Sequence, residues 1–211
     1  MVEFHLVNLR EFGKGNYRQI DDAPFGGGSG MVLMAEPLFK AIDHAMELIG
    51  GPDNVRVIYP SPQGKPWDQG TAEETSRQKK FIVICGHYKG IDERVMEKYV
   101  THEYSLGDFV MTGGEIPAMV ILDSAVRLMP GTLNTLDSAL TDSFSQDLLD
   151  HPHYTQPREI EGMEVPEVLL GGHHAKIDTW RQEQKEKRTK EKRPDLWKKF
   201  EKLKESESNH A

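Results

Sequence analysis

The chain has 211 residues, 37% of them hydrophobic and 28% charged, with a net charge of −8. Its one cysteine, Cys85, excludes a disulfide framework and a multi-cysteine metal site. No apolar run is long enough to span a membrane and no signal-peptide pattern opens the chain, so we expect a cytoplasmic protein without membrane contact.

Short apolar runs alternate with helical patterns along the first 131 residues. Strands are predicted at 3–9, 31–34, 55–59 and 81–85. Helices are predicted at 36–49, from a Thr71-Ala72-Glu73-Glu74 capping box, at 92–99, and from Glu115 to Pro130-Gly131. This alternation predicts an α/β domain over 1–131, a parallel sheet with helices on both faces.

Three loops rich in glycine or proline, 60–64, 86–90 and 106–114, follow predicted strands or bracket an apolar segment. In parallel sheets ligands bind at the carboxyl ends of the strands, so these loops predict a small-molecule site. Gly26-x-Gly28-x-Gly30 precedes a strand-like run and opens no helix, which excludes a dinucleotide-binding turn. We interpret it as either a flexible loop or one that faces the substrate.

The helix that begins at Glu115 carries apolar residues on almost every side, including Ile116, Met119 and Val120. This pattern is typical of a helix buried all round. We therefore expect a backbone cradle for a small molecule beside a subunit contact.

The second half of the chain predicts a linker at 132–142 and a helical domain at 143–211. Helices are predicted from Asp142 through Leu149, at 173–187 and at 193–204. Residues 176–204 hold 12 Lys and Arg against 6 Asp and Glu. Such a basic tail on an acidic body either binds a polyanion or forms a solvated helix with mixed charges.

Several polar residues have two interpretations. His151-x-His153 and His173-His174 lack the further ligands of a structural zinc site, so no metal site is predicted and a Mg²⁺ requirement is not readable. By spacing alone, Asp142 caps the helix that follows it and Arg127 meets the dipole at the end of its own helix.

Six ordered blocks resemble the bacterial tRNA (guanine-N1)-methyltransferase family of the SPOUT superfamily. The blocks are Pro-Phe-Gly-Gly-Gly-Ser-Gly-Met (24–31), Tyr-Pro-Ser-Pro-Gln-Gly (59–64), Cys-Gly-His-Tyr-Lys-Gly-Ile-Asp-Glu-Arg (85–94), Ser-Leu-Gly-Asp-Phe-Val-Met-Thr-Gly-Gly-Glu (105–115), Asp-Ser-Phe (142–144) and Pro-His-Tyr-Thr (152–155). The resemblance runs from about Phe4 to Leu196.

This resemblance implies a trefoil-knotted domain that binds S-adenosylmethionine, an obligate homodimer with shared active sites, and a small helical domain that holds tRNA. The implied reaction is methylation of N1 of the guanosine 3′ to the anticodon, position 37. The positions that match the family's cofactor cradle are Tyr59, Pro62, Gly86, Tyr88, Leu106, Gly107, Asp108, Phe109, Val110, Met111, Gly113 and Gly114.

The resemblance also implies catalytic roles. Asp142 matches the general base that takes the N1 proton, and Arg127 its positively charged partner, which faces the charge that develops on O6. Among the C-terminal basic residues we expect Arg181, Lys185, Arg188 and Arg193 to contact tRNA phosphates.

The chain departs from the family pattern in three places. A strand and a Phe-Pro turn and helix that precede the segment 3–9 in family members are absent, Lys89 replaces a common glutamate, and Gln156 a common arginine. Two alternatives stay open: a ribose 2′-O-methyltransferase of the same superfamily, and a tRNA-binding remnant without catalysis.

Overall fold

The computed structural model of the chain describes residues 2–132, 142–144 and 147–208, with side chains through residue 206. The chain forms two compact units, Met1–Asn134 and Thr135–Ala211. Most of the predicted linker lies outside the described residues, which include only its ends, Thr132 and Asp142.

The first unit is an α/β fold around a parallel sheet. In chain order its strands are β1 (Asp21–Asp22), β2 (Val32–Leu33), β3 (Arg56–Pro66), β4 (Phe81–Val83) and β5 (His102–Ser105), and its helices are α1 (Ala35–Leu48), α2 (Gln69–Ser76), α3 (Glu93–Tyr99) and α4 (Glu115–Val126). The parallel sheet has the order β4-β3-β5, and β1 pairs antiparallel with β2. The predicted parallel sheet is confirmed.

Alternate residues of β3 face two separate hydrophobic clusters. Val57 and Tyr59 pack with residues of α1 and α3, whereas Ile58 packs with Ile121 of α4. Because successive strand side chains point to opposite faces, the sheet is covered by helices on both sides.

The strand β3 is interrupted where it leaves the core. Its pairing with β5 shifts between Pro60 and Lys65, and both residues pair with Tyr104. The predicted loop 60–64 is therefore an excursion within β3, after which the strand resumes its pairing.

Two predictions at the start of elements are wrong. Residues 2–8 form no strand, and Leu6 is 99% exposed, because no strand pairs with them within the described part of the chain. The helix α2 is capped by Asp68 instead of Thr71, since the Asp68 carboxylate accepts the Thr71 N–H at 2.8 Å.

The second unit has a hairpin of β6 (Glu159–Ile160) and β7 (Met163–Glu164), followed by α5 (His174–Lys192) and α6 (Pro194–Ser208). The predicted helix from Asp142 through Leu149 is wrong, because Phe144 and Asp147 have φ of 74° and 57°. A tertiary contact replaces the helical bonds there: the Leu149 N–H donates to the hydroxyl of Thr189 in α5 at 2.8 Å.

None of the helices that the structure describes is long and apolar enough to cross a bilayer.

Candidate functional site

A cavity of about 160 Å³ lies where the three predicted loops meet. The loops come from the Tyr59–Pro62 part of β3 and from the segments that follow β4 and β5, so the cavity opens at the carboxyl ends of parallel strands. The lining residues are Tyr59 to Pro62, Gly86 to Gly90, Tyr104 to Gly107, Phe109 to Gly114 and Pro117.

Backbone bonds hold the loops together. The Gly114 N–H donates to the Gly86 carbonyl at 2.8 Å, and His87 pairs with Gly113 in an antiparallel bridge. On the other side of the 86–90 loop, the Lys89 N–H donates to the Met31 carbonyl at 3.0 Å. The walls of the cavity are therefore fixed by main-chain atoms.

The backbones of two loops approach too closely at Gly114 to admit a side chain. A Cβ built there would lie 2.6 Å from the Gly86 nitrogen and 2.8 Å from the Cys85 Cα. Glycine permits this close approach, which keeps the cavity wall made of backbone donors and acceptors.

The ionisable side chains around the cavity include Tyr59, His87 with its partner Glu115, and Lys89. Burial, and secondarily the charge of Glu103, raises the pKa of Tyr59, so its phenol stays protonated. His87 Nε2 lies 2.6 Å from a carboxylate oxygen of Glu115, and this hydrogen bond lowers the pKa of Glu115. Lys89 lines the cavity as well.

The predicted cofactor residues all line this cavity except Asp108, which is exposed outside the lining. The predicted cofactor residues do not include His87, Tyr104 or Ser105, which also line the cavity, and Lys89 enters the sequence analysis only as a departure from the family pattern. His87 and Lys89 belong to a loop that was predicted, so their position in it was the available signal. The strand β5 was missed because His102 and Glu103 interrupt any apolar run.

The two predicted catalytic residues lie outside this lining and belong to different units. Arg127 is half-buried and is the C-terminal cap of α4. A cation at the C-terminus of a helix is stabilised by the helix dipole. Asp142 is half-buried in the second unit. The alternative that Asp142 caps a helix through Leu149 is wrong, because the positive φ values of Phe144 and Asp147 exclude that helix.

The predicted tRNA-contacting residues lie on α5 and at its end. Arg181 is about half exposed, with an Asp178 carboxylate at 3.5 Å, and Arg193 pairs with Asp195 at 2.6 Å. Lys185 differs from the expectation, because its side chain is only 15% exposed and its ammonium faces the Asp150 carboxylate at 3.5 Å. The packing favours a structural contact for Lys185, while Arg188 is half-buried on the same helix.

The predicted histidine pair, His151 and His153, lies beside the carboxylate of Asp150. His151, His153 and Asp150 have ligand atoms within 4.8 Å of one another. The His153 Nε2 bonds to Asp150 at 2.8 Å, and the Lys185 ammonium lies beside the same carboxyl group. A lysine cation there opposes a metal ion, so the group is better explained as a packed ionic network.

The sequence profile described as tRNA (Guanine-1)-methyltransferase TrmD matches residues 1–199. A protein of Brevibacillus brevis named tRNA (guanine-N(1)-)-methyltransferase is 51% identical over 200 residues, which are 95% of this chain and 81% of that protein. Relatives with the same name from Moorella thermoacetica and Clostridioides difficile are 51% and 47% identical, over 92% and 94% of this chain and 78% and 86% of their own lengths. The chain therefore belongs to the tRNA (guanine-1)-methyltransferase family.

Proposed function

We propose that the chain methylates N1 of the guanosine 3′ to the anticodon, position 37, of tRNA in the cytoplasm, with S-adenosylmethionine as the methyl donor. The observation that carries this proposal is the backbone-walled cavity formed by three loops in a member of this family. An enzyme that acts on a base needs such a pocket beside a site for a splayed-out nucleotide.

The lining suits a nucleoside with an amino-acid tail. Glycine backbone at Gly86, Gly113 and Gly114 has no side chains to block the close approach of a heteroaromatic base, and Leu106 and Met111 offer apolar contact. We infer that these residues, with Tyr59 and Phe109, hold S-adenosylmethionine. When bound, it supplies a methyl group whose bond to sulfur breaks as the bond to guanine N1 forms.

The chain's own contribution is proton transfer and charge stabilisation. Guanine N1 carries a proton at neutral pH and is a poor nucleophile, so a base must remove that proton. In this proposal the Asp142 carboxylate accepts it. Negative charge then moves toward O6, where the guanidinium of Arg127 stabilises it.

An exposed apolar face on α4 supports a homodimer. Ile116, Met119 and Val120 are 63%, 67% and 45% exposed and share one side of the helix. The expectation that α4 is buried all round is wrong for the single chain, because nothing in the first unit covers this side within the described residues. We propose that a second copy covers it, that each active site uses both chains, and that a trefoil knot forms the cofactor loops.

The basic residues of the second unit support contact with the tRNA backbone. We propose that Arg181, Arg188 and Arg193 lie against phosphates. Lys185 would instead keep its contact with the Asp150 carboxylate and would not reach a phosphate. A ribose 2′-O-methyltransferase would need no base for a guanine N1 proton, so the role of Asp142 separates the two activities.

The Asp142→Asn variant tests the proposal. It keeps the shape of the side chain but cannot accept a proton, so we expect methyl transfer to fall by about 10²–10⁴-fold. Binding of S-adenosylmethionine and the urea midpoint should stay close to wild type. Activity should recover partly at higher pH, because deprotonated N1 is the nucleophile.

The matched control is Asp53→Asn, the same change at an exposed aspartate in the turn before β3. Methyl transfer by that variant should equal wild type. A wild-type rate in Asp142→Asn would remove the base from the mechanism, and a low rate explained by unfolding would reduce Asp142 to a structural residue.

A further inference from the structure

Lys89 stands out because the proposed chemistry leaves it without a role. Among the described residues that line the cavity, it is the one lysine or arginine. The other basic side chain there, His87, already bonds to Glu115 at 2.6 Å. For Lys89, no carboxylate lies within salt-bridge distance of the ammonium in the part of the chain that the structure describes.

The stem of Lys89 packs against Gly30, the last residue of the glycine segment 26–30, which the sequence predicts to be a flexible or substrate-facing loop. A Cβ built on Gly30 would lie 3.0 Å from Lys89 Cγ and 3.2 Å from its Cε, so the stem fills the space that a side chain would occupy. The Lys89 N–H is bound to the Met31 carbonyl at 3.0 Å. Main chain and stem are therefore both held against the same segment.

Next to this contact, β2 pairs in parallel with the residues that follow Lys89. Leu33 N–H donates to the Gly90 carbonyl at 3.0 Å, and the Asp92 N–H donates to the Leu33 carbonyl at the same distance. These bonds join the strand β2 to the loop that carries Lys89. The end of the glycine segment, at Gly30, is thus held against Lys89, which itself lines the cavity.

The ammonium of Lys89 favours a negatively charged ligand over a positively charged one. Apart from His87, which bonds to Glu115, the lining consists of backbone, hydroxyl, aromatic and aliphatic groups, and among the described residues it includes no carboxylate that would pair with Lys89. Charge-assisted hydrogen bonds to an oxyanion are about twice as strong as neutral ones. A cationic group such as a sulfonium would instead be repelled.

We propose that Lys89, held against Gly30, binds an oxyanion of the reactants at the edge of the cavity. Two sources share this chemistry: the carboxylate of the methyl donor's amino-acid tail and a phosphate of the tRNA. The identity of these sources rests on the proposed function. Lys89 is in either case a binding residue and takes no part in proton transfer.

The test compares Lys89→Ala with Lys79→Ala, which removes an exposed lysine that does not line the cavity. Lys89 is exposed too, so neither change removes a core side chain. Calorimetry measures binding of S-adenosylhomocysteine, which carries the carboxylate, and of 5′-methylthioadenosine, which lacks it. A filter assay measures tRNA affinity over a range of salt concentrations.

If the carboxylate is the partner, Lys89→Ala weakens S-adenosylhomocysteine about tenfold and leaves methylthioadenosine unchanged. If a phosphate is the partner, both nucleosides bind normally, tRNA affinity falls about tenfold, and the salt slope flattens by about one counterion. Lys89→Arg should retain most of either affinity.

The inference is overturned if Lys89→Ala matches Lys79→Ala in all three titrations. Failure of the proposed function is a different result, namely a wild-type chain that forms no 1-methylguanosine. Such a chain can still bind S-adenosylhomocysteine or tRNA, and the comparison of Lys89→Ala with Lys79→Ala then still decides the oxyanion site. A wild-type chain that binds neither nucleoside nor tRNA would overturn both proposals.

Discussion

Replacement of Gly114 by alanine should open the cavity wall. The new Cβ would lie 2.6 Å from the Gly86 nitrogen and 3.0 Å from the Cys85 carbonyl carbon. Ordinary contacts of a Cβ begin at 3.4 Å, so the two loops must separate by about 0.8 Å. Both neighbours are backbone atoms, which have no alternative rotamer into which to move.

The separation has two costs. It lengthens the bond from the Gly114 N–H to the Gly86 carbonyl, now 2.8 Å, toward the limit of a hydrogen bond. Overpacking of this kind destabilises proteins by about 1–3 kcal/mol. Because the displaced atoms are the cavity wall, we also expect the affinity for S-adenosylmethionine to fall by at least about tenfold.

Urea unfolding measures the first effect and calorimetric titration the second. The control is Gly70→Ala in α2, where the new Cβ would meet only Asp68 Oδ1 at 3.6 Å. That variant should bind like wild type and be equally stable, or gain up to about 1 kcal/mol from helix propensity. A Gly114→Ala chain with wild-type stability and affinity would refute the claim that close backbone approach shapes this site.

Three further outcomes follow from other parts of the chain. Hydrogen bonds first from Lys14 and then from Lys40 lower the pKa of Glu36 to about 2, so its stabilisation is present above its ordinary pKa and is lost as pH falls toward 2. Melting curves of Glu36→Gln and wild type should therefore differ most above pH ~5 and converge near pH ~2, and a constant difference would contradict this linkage. Met119→Lys should turn the proposed dimer into monomer in analytical ultracentrifugation, and an unchanged dimer mass would mean that another surface associates. Arg181→Gln with Arg188→Gln should weaken tRNA binding and flatten its salt dependence, whereas equal salt slopes would make α5 a solvated helix.

The elements that were predicted correctly are those whose signals are local. The helix α1 ends at Leu48 before Gly50-Gly51-Pro52, and α4 begins directly after Gly113-Gly114. Periodicity and glycine or proline punctuation lie within a few residues of each boundary, so the sequence carries that information.

The wrong predictions concern structure that depends on distant partners. Glu3 to Leu9 alternates like a strand but has no strand to pair with among the described residues. The turn at Phe144 forms where Leu149 bonds to Thr189, 40 residues further along the chain. No local pattern encodes such a contact, and a strand or helix propensity of about 1 kcal/mol is easily overridden by it.

The sequence predicts which loops form the cavity but not how the charged side chains around it are paired. Glycine and proline after predicted strands indicated which loops form the cavity. The bond between His87 and Glu115 joins two of those loops, and the packing of Lys89 on Gly30 joins a third segment. These pairings appear only when the loops are brought together in three dimensions.

The most direct test of the central claim is the chemical identity of the product. The chain is incubated with unmodified tRNA and methyl-labelled S-adenosylmethionine, and the tRNA is digested to nucleosides for mass spectrometry. We expect label in 1-methylguanosine, located 3′ to the anticodon and absent when guanosine there is replaced. Label in a 2′-O-methylated nucleoside, or no label in tRNA that the chain binds, would contradict it.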